Sequence, residues 1–521
     1  MTQPLFDKKN YLSNIYYLCV CLLAIGLCTS KALVSLSAAA MFTLALFSFK
    51  SIDFKSQLKK NKSFFYFVLF FIYYCLSTLW SSDLSMAIQD IVSKLTLAIV
   101  PFALIIKPID SKWLERLYSI FVWSVLSTSI YNFIHFQFFT SNIEDIRELS
   151  FFVSHIRFSL FICFSIGLIF RKILSVKNRY WRSLYFLFLG WLLFYLNFSE
   201  VLSGILALMG GILVLCLIGI FKHSKKYKWF YFSGLILIVG SFLLFGFYLK
   251  KYDTSFIISP RTYPTTTKLG NIYTHDTLSK SMENGNYIHL FICNKEIDSV
   301  WPKISNCLLD IQNKNGYQTR MVLYRYLTSK GLTKDADGLR KLSKEDIRAI
   351  ENGIPSILEI NKGLVSKIKF YIKNFNFNKD PNGNSLLQRL EYWRVGSAIF
   401  LENPIIGVGI GDYKASFVDE YISRKTKLFP QNRLETHMQF LSILIATGCI
   451  GGCLFLLTFY FFIRQSLKNL LAIYFIGIIL ASFLVEDTLT TLAGMGFFGL
   501  FYAVFQNSTS VVTREVIGEK L

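Results

Sequence analysis

The chain has 521 residues, is 53% hydrophobic and has a mean hydropathy of +0.44. Its apolar residues fall in blocks of about 17–25, each long enough to cross a bilayer, which excludes an ordinary soluble globular fold. The formal net charge is +22, but the lysines and arginines cluster in short loops between apolar runs, where they set topology and give no reason to expect nucleic acid as a partner.

Taken in order, the runs predict twelve membrane spans, at 14–30, 32–49, 64–80, 86–107, 113–134, 152–170, 180–197, 201–221, 229–249, 437–463, 468–485 and 488–506. The first, from Asn14 to Leu27, has no small-residue cleavage site and reads as a retained helix, not a signal peptide. Loop charge alternates. Lys55, Lys59, Lys60 and Lys62, then Arg171, Lys172, Lys177, Arg179 and Arg182, then Arg464 and Lys468 mark one side. Lys31, Asp83, Glu144, Asp145, Arg147, Glu148, Glu200, Glu486 and Asp487 fall on the other. The basic side is expected to be cytoplasmic, with both termini inside.

The expected fold is therefore an all-α polytopic membrane protein of about 12 transmembrane helices. A mostly helical extracytoplasmic insertion lies between the ninth and tenth spans. The expected divisions are 1–250 for spans one to nine, 251–384 for the insertion, 385–436 for a motif-bearing segment and 437–521 for the last three spans and a cytoplasmic tail. From 250 to 436 there are 28 Lys and Arg against 19 Asp and Glu. That surface either attracts anionic ligands such as diphosphates or acidic glycans, or is simply a solvated basic domain. Within it, Ser343 and Asp346 have the spacing of a capping box, Thr319 to Ser329 reads as a helix ending at Gly331, and Leu358 to Lys373 has helical spacing. Residues 261–286, rich in Thr, Asn and Gly, read as loop with short strands. Cys293 and Cys307 are a candidate disulfide; the other eight cysteines read as apolar fillers.

Polar chemistry concentrates between Ser385 and Gly452. Arg389, Trp393 and Gly396, at i, i+4 and i+7, share a helix face, and Arg394 points elsewhere. A guanidinium suits the oxygens of a diphosphate; the alternative for Arg389 is a surface pair with Glu391 or Glu402. Next comes Glu402-Asn-Pro-Ile-Ile-Gly407-Val-Gly409-Ile-Gly411-Asp-Tyr413. Its alternating glycines permit positive φ. They either expose amides to an anion or make a tight turn back to the membrane. It is not a dinucleotide fingerprint, since no βαβ pattern surrounds it. His437 opens the tenth span, either as an interfacial polar residue or as a catalytic one, and Gly448, Gly451 and Gly452 on that span read as close-packing positions. In the sixth span His155 and Arg157 lie about 200° apart, and Arg157 is either a second anion contact or an arginine snorkelling to headgroups. Asp335-Ala-Asp337 resembles a nucleotide-sugar D-x-D but reads as a solvated turn. No zinc spacing, nucleophile elbow or Walker loop is present.

The order R-x-x-x-W, then N-P-I-I-G-x-G-x-G, then T-H resembles the signature region of the O-antigen ligase and polymerase superfamily, which moves glycans off polyprenyl diphosphates. The resemblance implies a glycosyltransferase of the bacterial inner membrane with its site on the periplasmic face. Its partners would be an undecaprenyl-diphosphate-linked glycan, an acceptor glycolipid or glycan, and the lipid bilayer. It implies that Arg389 binds phosphate and that His437 activates the acceptor hydroxyl, as neutral imidazole does near pH 7. Arg157, Arg394, Trp393, Gly407, Gly409 and Gly411 would complete the substrate site, with no metal and no cofactor. One departure is Leu202, which stands before Ser203-Gly204 where many relatives carry an arginine. Lipid A-core ligation, repeat-unit polymerisation and protein O-glycosylation all remain open, as does transport, though the chain has no duplicated halves.

Overall fold

Long apolar runs become helices because a chain in lipid must satisfy its own backbone N–H and C=O groups. The computed structural model describes residues 11–47, 58, 59, 61–139, 149–222, 229, 231–236, 240, 263–279, 281–284, 286–312, 318–357, 381, 382 and 384–518. The helices that come first are α1 (Tyr11–Thr29), α2 (Lys31–Phe47), α3 (Lys62–Leu76), α4 (Leu84–Ile106), α5 (Ser111–Phe138), α6 (His155–Ser175), α7 (Arg179–Phe198) and α8 (Leu202–Lys222). Asn61, Asp83 and Asn178 start α3, α4 and α7 by accepting a backbone N–H in their side chains.

Seven helices are long and apolar enough to cross a membrane: Tyr11–Thr29, Lys62–Trp80, Leu84–Ile106, Ser111–Phe138, His155–Ser175, Leu202–Phe221 and Gln439–Ser466. Lys31–Phe47 and Leu470–Val485 are apolar but shorter. Arg179–Phe198 and Leu492–Gly518 are helices at two further expected positions. The expected span at 229–249 lies mostly outside the described residues. Length and composition therefore give seven among the described residues, against the twelve read from the sequence.

Two compact units result. The first comprises Met1–Ile238, Glu391–Thr426 and Arg433–Leu521, and the second Val239–Leu390 and Lys427–Asn432. The expected motif segment 385–436 is thus divided between them. In the first unit, phenylalanines 121, 161, 164, 475, 497 and 501 form one aromatic core, with Phe164 and Phe501 ring centroids 4.4 Å apart. Lipid is as apolar as these rings, so close packing and not water exclusion favours this arrangement. Small residues do the same elsewhere. A Cβ at Gly477 would lie 2.6 Å from the Gly210 carbonyl oxygen, so α8 and the later helix Leu470–Val485 touch backbone to backbone.

The second unit holds a two-residue hairpin, β1 (Met282–Glu283) and β2 (Asn286–Tyr287), followed by helices α9 (Asn294–Ile304), α10 (Thr319–Ser329), α11 (Ala336–Arg340) and α12 (Lys344–Glu351). Its core gathers Ile297, Trp301, Leu323, Tyr326, Leu327 and Ile350. The Ser343–Asp346 capping box is present, and Thr319 to Ser329 is a helix, both as the sequence predicts. The helix expected from Leu358 to Lys373 lies outside the described residues. Cys293 and Cys307 are free thiols, which corrects the candidate disulfide. Cys293 caps α9 and Cys307 follows its end. Eleven helical residues rise about 16 Å, far beyond the reach of a disulfide. Asp335 is not the solvated turn expected of a D-x-D: it is buried, and its side chain accepts the Gly338 N–H to start α11.

Candidate functional site

Helix α13 (Ser385–Glu402) carries the arginine–tryptophan motif. Its first part, with Arg389, belongs to the second unit, and Glu391 onward to the first. In the first unit Tyr392, Val395 and Ile399 are buried. Trp393 Nε1 donates to the Thr436 carbonyl at 3.1 Å, and a Cβ on Gly396 would meet Thr436 and Ile445 at 3.0 Å. The face that spacing assigns to Trp393 and Gly396 is therefore the face that meets the residue before His437. Arg394 is exposed and pairs with Glu391 at 3.1 Å, one turn back on its own helix.

The glycine turn meets a broken helix. Helix α14 (Tyr413–Ser423) follows the turn, and α15 (Gln439–Ser466) is interrupted at Gly448, where φ is +63° and ψ is −167°. The break frees backbone groups that the turn takes up. Val408 and Gly409 N–H donate to the carbonyls of Ile445 and Ala446 at 2.9 and 3.1 Å. Cys449 and Ile450 N–H donate to Pro404 and Ile405 carbonyls at 2.8 and 3.2 Å. Gly407 and Gly409 have φ of +75° and +89°, which residues with a Cβ rarely adopt. Gly407 N–H donates to the Asn403 carbonyl and Gly411 N–H to Ser81 Oγ, both at 3.0 Å. Asp412 accepts the Ser82 and Asp83 N–H groups at 2.8 and 3.0 Å. The glycine N–H groups that an anion would need are all donated within the protein. Of the two readings the sequence left open, the turn that docks tightly is the one described here. Gly448 is a hinge of the backbone as well as a packing position.

His437 stands before the cap of α15 and not on its first turn, since Met438 is the cap and Gln439 the first helical residue. Its φ is +48°, a left-handed conformation sparsely populated by residues other than glycine. The ring lies 5.7 Å from the Tyr392 ring. Its Nδ1 is 3.7 Å from Glu486 Oε2. Glu486 and Asp487 begin the connection between α16 (Leu470–Val485) and α17 (Leu492–Gly518), and both are buried.

Arg157 reaches the same connection from the first turn of α6. It is 6% exposed, so it does not snorkel. Nε donates to Thr491 Oγ1 at 3.1 Å and Nη2 to the Asp487 carbonyl at 2.7 Å. Nη1 is buried without a hydrogen bond and lies 3.8 Å from Glu486 Oε2. Asp487 accepts from Ser442 Oγ at 2.6 Å, and Tyr413 donates its hydroxyl to the same Ser442 at 3.1 Å. Gln439 Oε1 accepts the Leu489 N–H at 2.7 Å. Burial pushes the Asp487 carboxyl above the usual carboxylate range and the Tyr413 phenol upward, while the Ser442 hydrogen bonds oppose both.

One oxygen of Glu486 thus faces an imidazole and a guanidinium. Sequence reasoning named Arg157 and His437 but counted Glu486 and Asp487 only as topology charges. The signal available was an acidic pair in a short loop between two apolar helices, where charge is functional by default.

Residues 354–456 match the family model described as O-Antigen ligase. That stretch contains Arg389, Trp393, the glycine turn and His437. It includes neither Arg157, Glu486 and Asp487 nor residues 263–353. No curated protein matches the chain.

Proposed function

We propose that the matched segment does what its superfamily does, and that the chain moves a glycan from an undecaprenyl-diphosphate carrier to an acceptor hydroxyl on lipid A-core. The observation that carries this reading is His437, held off its helix beside a buried carboxylate within a segment of the O-antigen ligase family. A carboxylate at Nδ1 favours the proton on that nitrogen and leaves Nε2 as the base. His437 takes the acceptor proton, the acceptor oxygen attacks the anomeric carbon with inversion, and the bond from that carbon to the diphosphate breaks. Arg157 offsets the charge that builds on the departing polyprenyl diphosphate, and Arg389 keeps the phosphate-binding role that the resemblance gives it. Trp393 ties the arginine-bearing helix to Thr436, Arg394 lies on the exposed side of that helix, Gly407 and Gly409 hold the turn against α15, and Gly411 holds it against Ser81. The chain is read as crossing the inner membrane twelve times with this site on the periplasmic side.

The test is reconstituted transfer from a lipid-linked donor. Arg389→Ala and His437→Ala are expected to lower transfer at least 100-fold while both proteins remain in the membrane at normal level. Fixed arginines supply the positive charge, so activity is expected to persist in EDTA. Normal transfer by either variant rejects the assignment. A deletion strain that accumulates lipid-linked polymer selects the ligase. Accumulated single repeat units select a polymerase, and loss of protein-linked glycan alone selects a protein O-glycosyltransferase.

A further inference from the structure

The second unit has a proper core, yet four of its rings stand outside it. Tyr263, Tyr273, His275 and Phe291 are half-buried, and none belongs to the cluster around Trp301 and Leu323. They pack on one another. His275 lies 5.3 Å from Tyr263, 5.8 Å from Tyr273 and 5.2 Å from Phe291, centroid to centroid, and Phe291 lies 6.0 Å from each tyrosine.

Backbone pairing explains their common face. Thr274 and Ile292 exchange both N–H···O bonds as an antiparallel pair, at 2.7 and 3.1 Å. Their neighbours Tyr273, His275 and Phe291 therefore project to the opposite side together. Each of the three is then fixed. Phe291 N–H donates to His275 Nδ1 at 3.1 Å, so Nε2 carries the proton and donates to the Pro264 carbonyl at 3.0 Å. The Tyr273 hydroxyl donates to the Asp335 carboxylate. Phe291 has φ +58°, a left-handed conformation that strains a bulky residue. A minor hydrophobic core would have no need of such strain or of rings left part-exposed. Rings locked before a ligand arrives are the sign of a preorganised binding face.

We infer that this face binds a sugar ring of the glycan that the chain handles. One face of a pyranose presents only C–H bonds, which suit the negative π-face of tyrosine and phenylalanine, while its hydroxyls remain at the wet rim. Thr265 and Thr266, which follow Tyr263 and Pro264 in the chain, are both exposed and supply the hydroxyls beside the rings. That polarity favours a carbohydrate over an apolar helix. The face itself stands on the second unit alone; only the identity of the glycan, from donor or acceptor, rests on the transferase reading.

The experiment uses the full chain in nanodiscs, titrated by saturation-transfer NMR with two probes from the host strain. One is the core oligosaccharide released from lipid A, and the other is the O-glycan released from its carrier. Wild type is expected to bind at least one. Binding of the core alone assigns the acceptor, and of the O-glycan alone the donor. Tyr263→Ala and Tyr263→Leu are expected to weaken binding at least tenfold, while Tyr263→Phe stays within threefold. The leucine variant keeps bulk without a ring, so it separates stacking from loss of packing. Absence of binding to both probes, or unchanged affinity in the ring-less variants, overturns the inference. Wild-type binding that weakens in Tyr263→Ala, in a protein that transfers no glycan, leaves the inference standing and removes the proposed function; transfer that is lost with His437→Ala while Tyr263→Ala binds normally does the reverse.

Discussion

Glu486 Oε2 has two neighbours of the same kind, His437 Nδ1 at 3.7 Å and Arg157 Nη1 at 3.8 Å. Neither distance is a hydrogen bond. Catalytic contacts of this sort commonly tighten only when substrate is present. If the carboxylate orients the imidazole, Glu486→Gln lowers kcat by about 10–100-fold, the size typical of a group that positions another, and leaves both KM values within twofold. A raised KM at unchanged kcat would instead make Glu486 a substrate contact. A second residue-scale case lies within α4, where Asp90 pairs with both Lys94 and the Tyr74 hydroxyl, and Lys94 Nζ sits 5.3 Å from the Tyr74 ring centre. Lys94 is largely withdrawn from solvent, so removing its partner strands a charge in an apolar helix. Asp90→Asn and Lys94→Met are each expected to lower Tm in detergent by several degrees, and the double variant to recover part of the loss. Additive losses across that cycle would show that the pair is not coupled.

At the scale of elements, the central device is a broken helix closed by a glycine turn. A Cβ on Gly448 would come within 2.2 Å of the Ile405 carbonyl oxygen, and φ there is +63°. Backbone cannot yield as a side chain can. Gly448→Ala is expected to cost more than about 2 kcal/mol and to deplete the protein from the membrane. Gly452→Ala is the control: its Cβ would meet the Leu444 side chain, with Cδ2, its movable end, at 2.5 Å and Cγ at 3.5 Å. Equal levels of the two variants would refute the distinction. Much of this was legible from residues alone. Pro404 and the alternating glycines announced a turn, the spacing of Trp393 and Gly396 announced their common face, and Ser343 with Asp346 announced a helix start. Those signals are local. The destinations of the Gly409 and Gly411 N–H groups were not legible, because one is an α15 carbonyl freed at Gly448, some 40 residues away in sequence, and the other is Ser81 Oγ, 330 residues away. Glu486 escaped notice for the same reason: its meaning comes from Arg157 and His437, which pattern alone does not bring near it.

At the scale of the molecule, the second unit holds a buried lysine whose titration bears on its stability. Lys334 is almost wholly buried, and among the described residues its Nζ has the Leu290 and Tyr287 carbonyls as partners, at 3.0 and 3.3 Å. Burial pushes its pKa down to about 7. An unfolded lysine holds its proton to about pH 10.4. Between pH 7 and 10 the unfolded unit therefore binds more protons than the folded one, and stability rises with pH. Below 7 both states are charged and the cost of burying the ammonium is paid in full. Over that window the gain approaches roughly 5 kcal/mol for one proton. Hydrogen exchange on the intact protein reads this locally. Amides of α10 around Leu323, Tyr326 and Leu327, corrected for the intrinsic chemical rate, are expected to grow more protected from pH 7 to 9. Those in the Phe164–Phe501 core of the first unit are not. Lys334→Met removes the titrating group, so the same amides are expected to lose that pH dependence. A variant that keeps the slope would place the titration elsewhere in the unit.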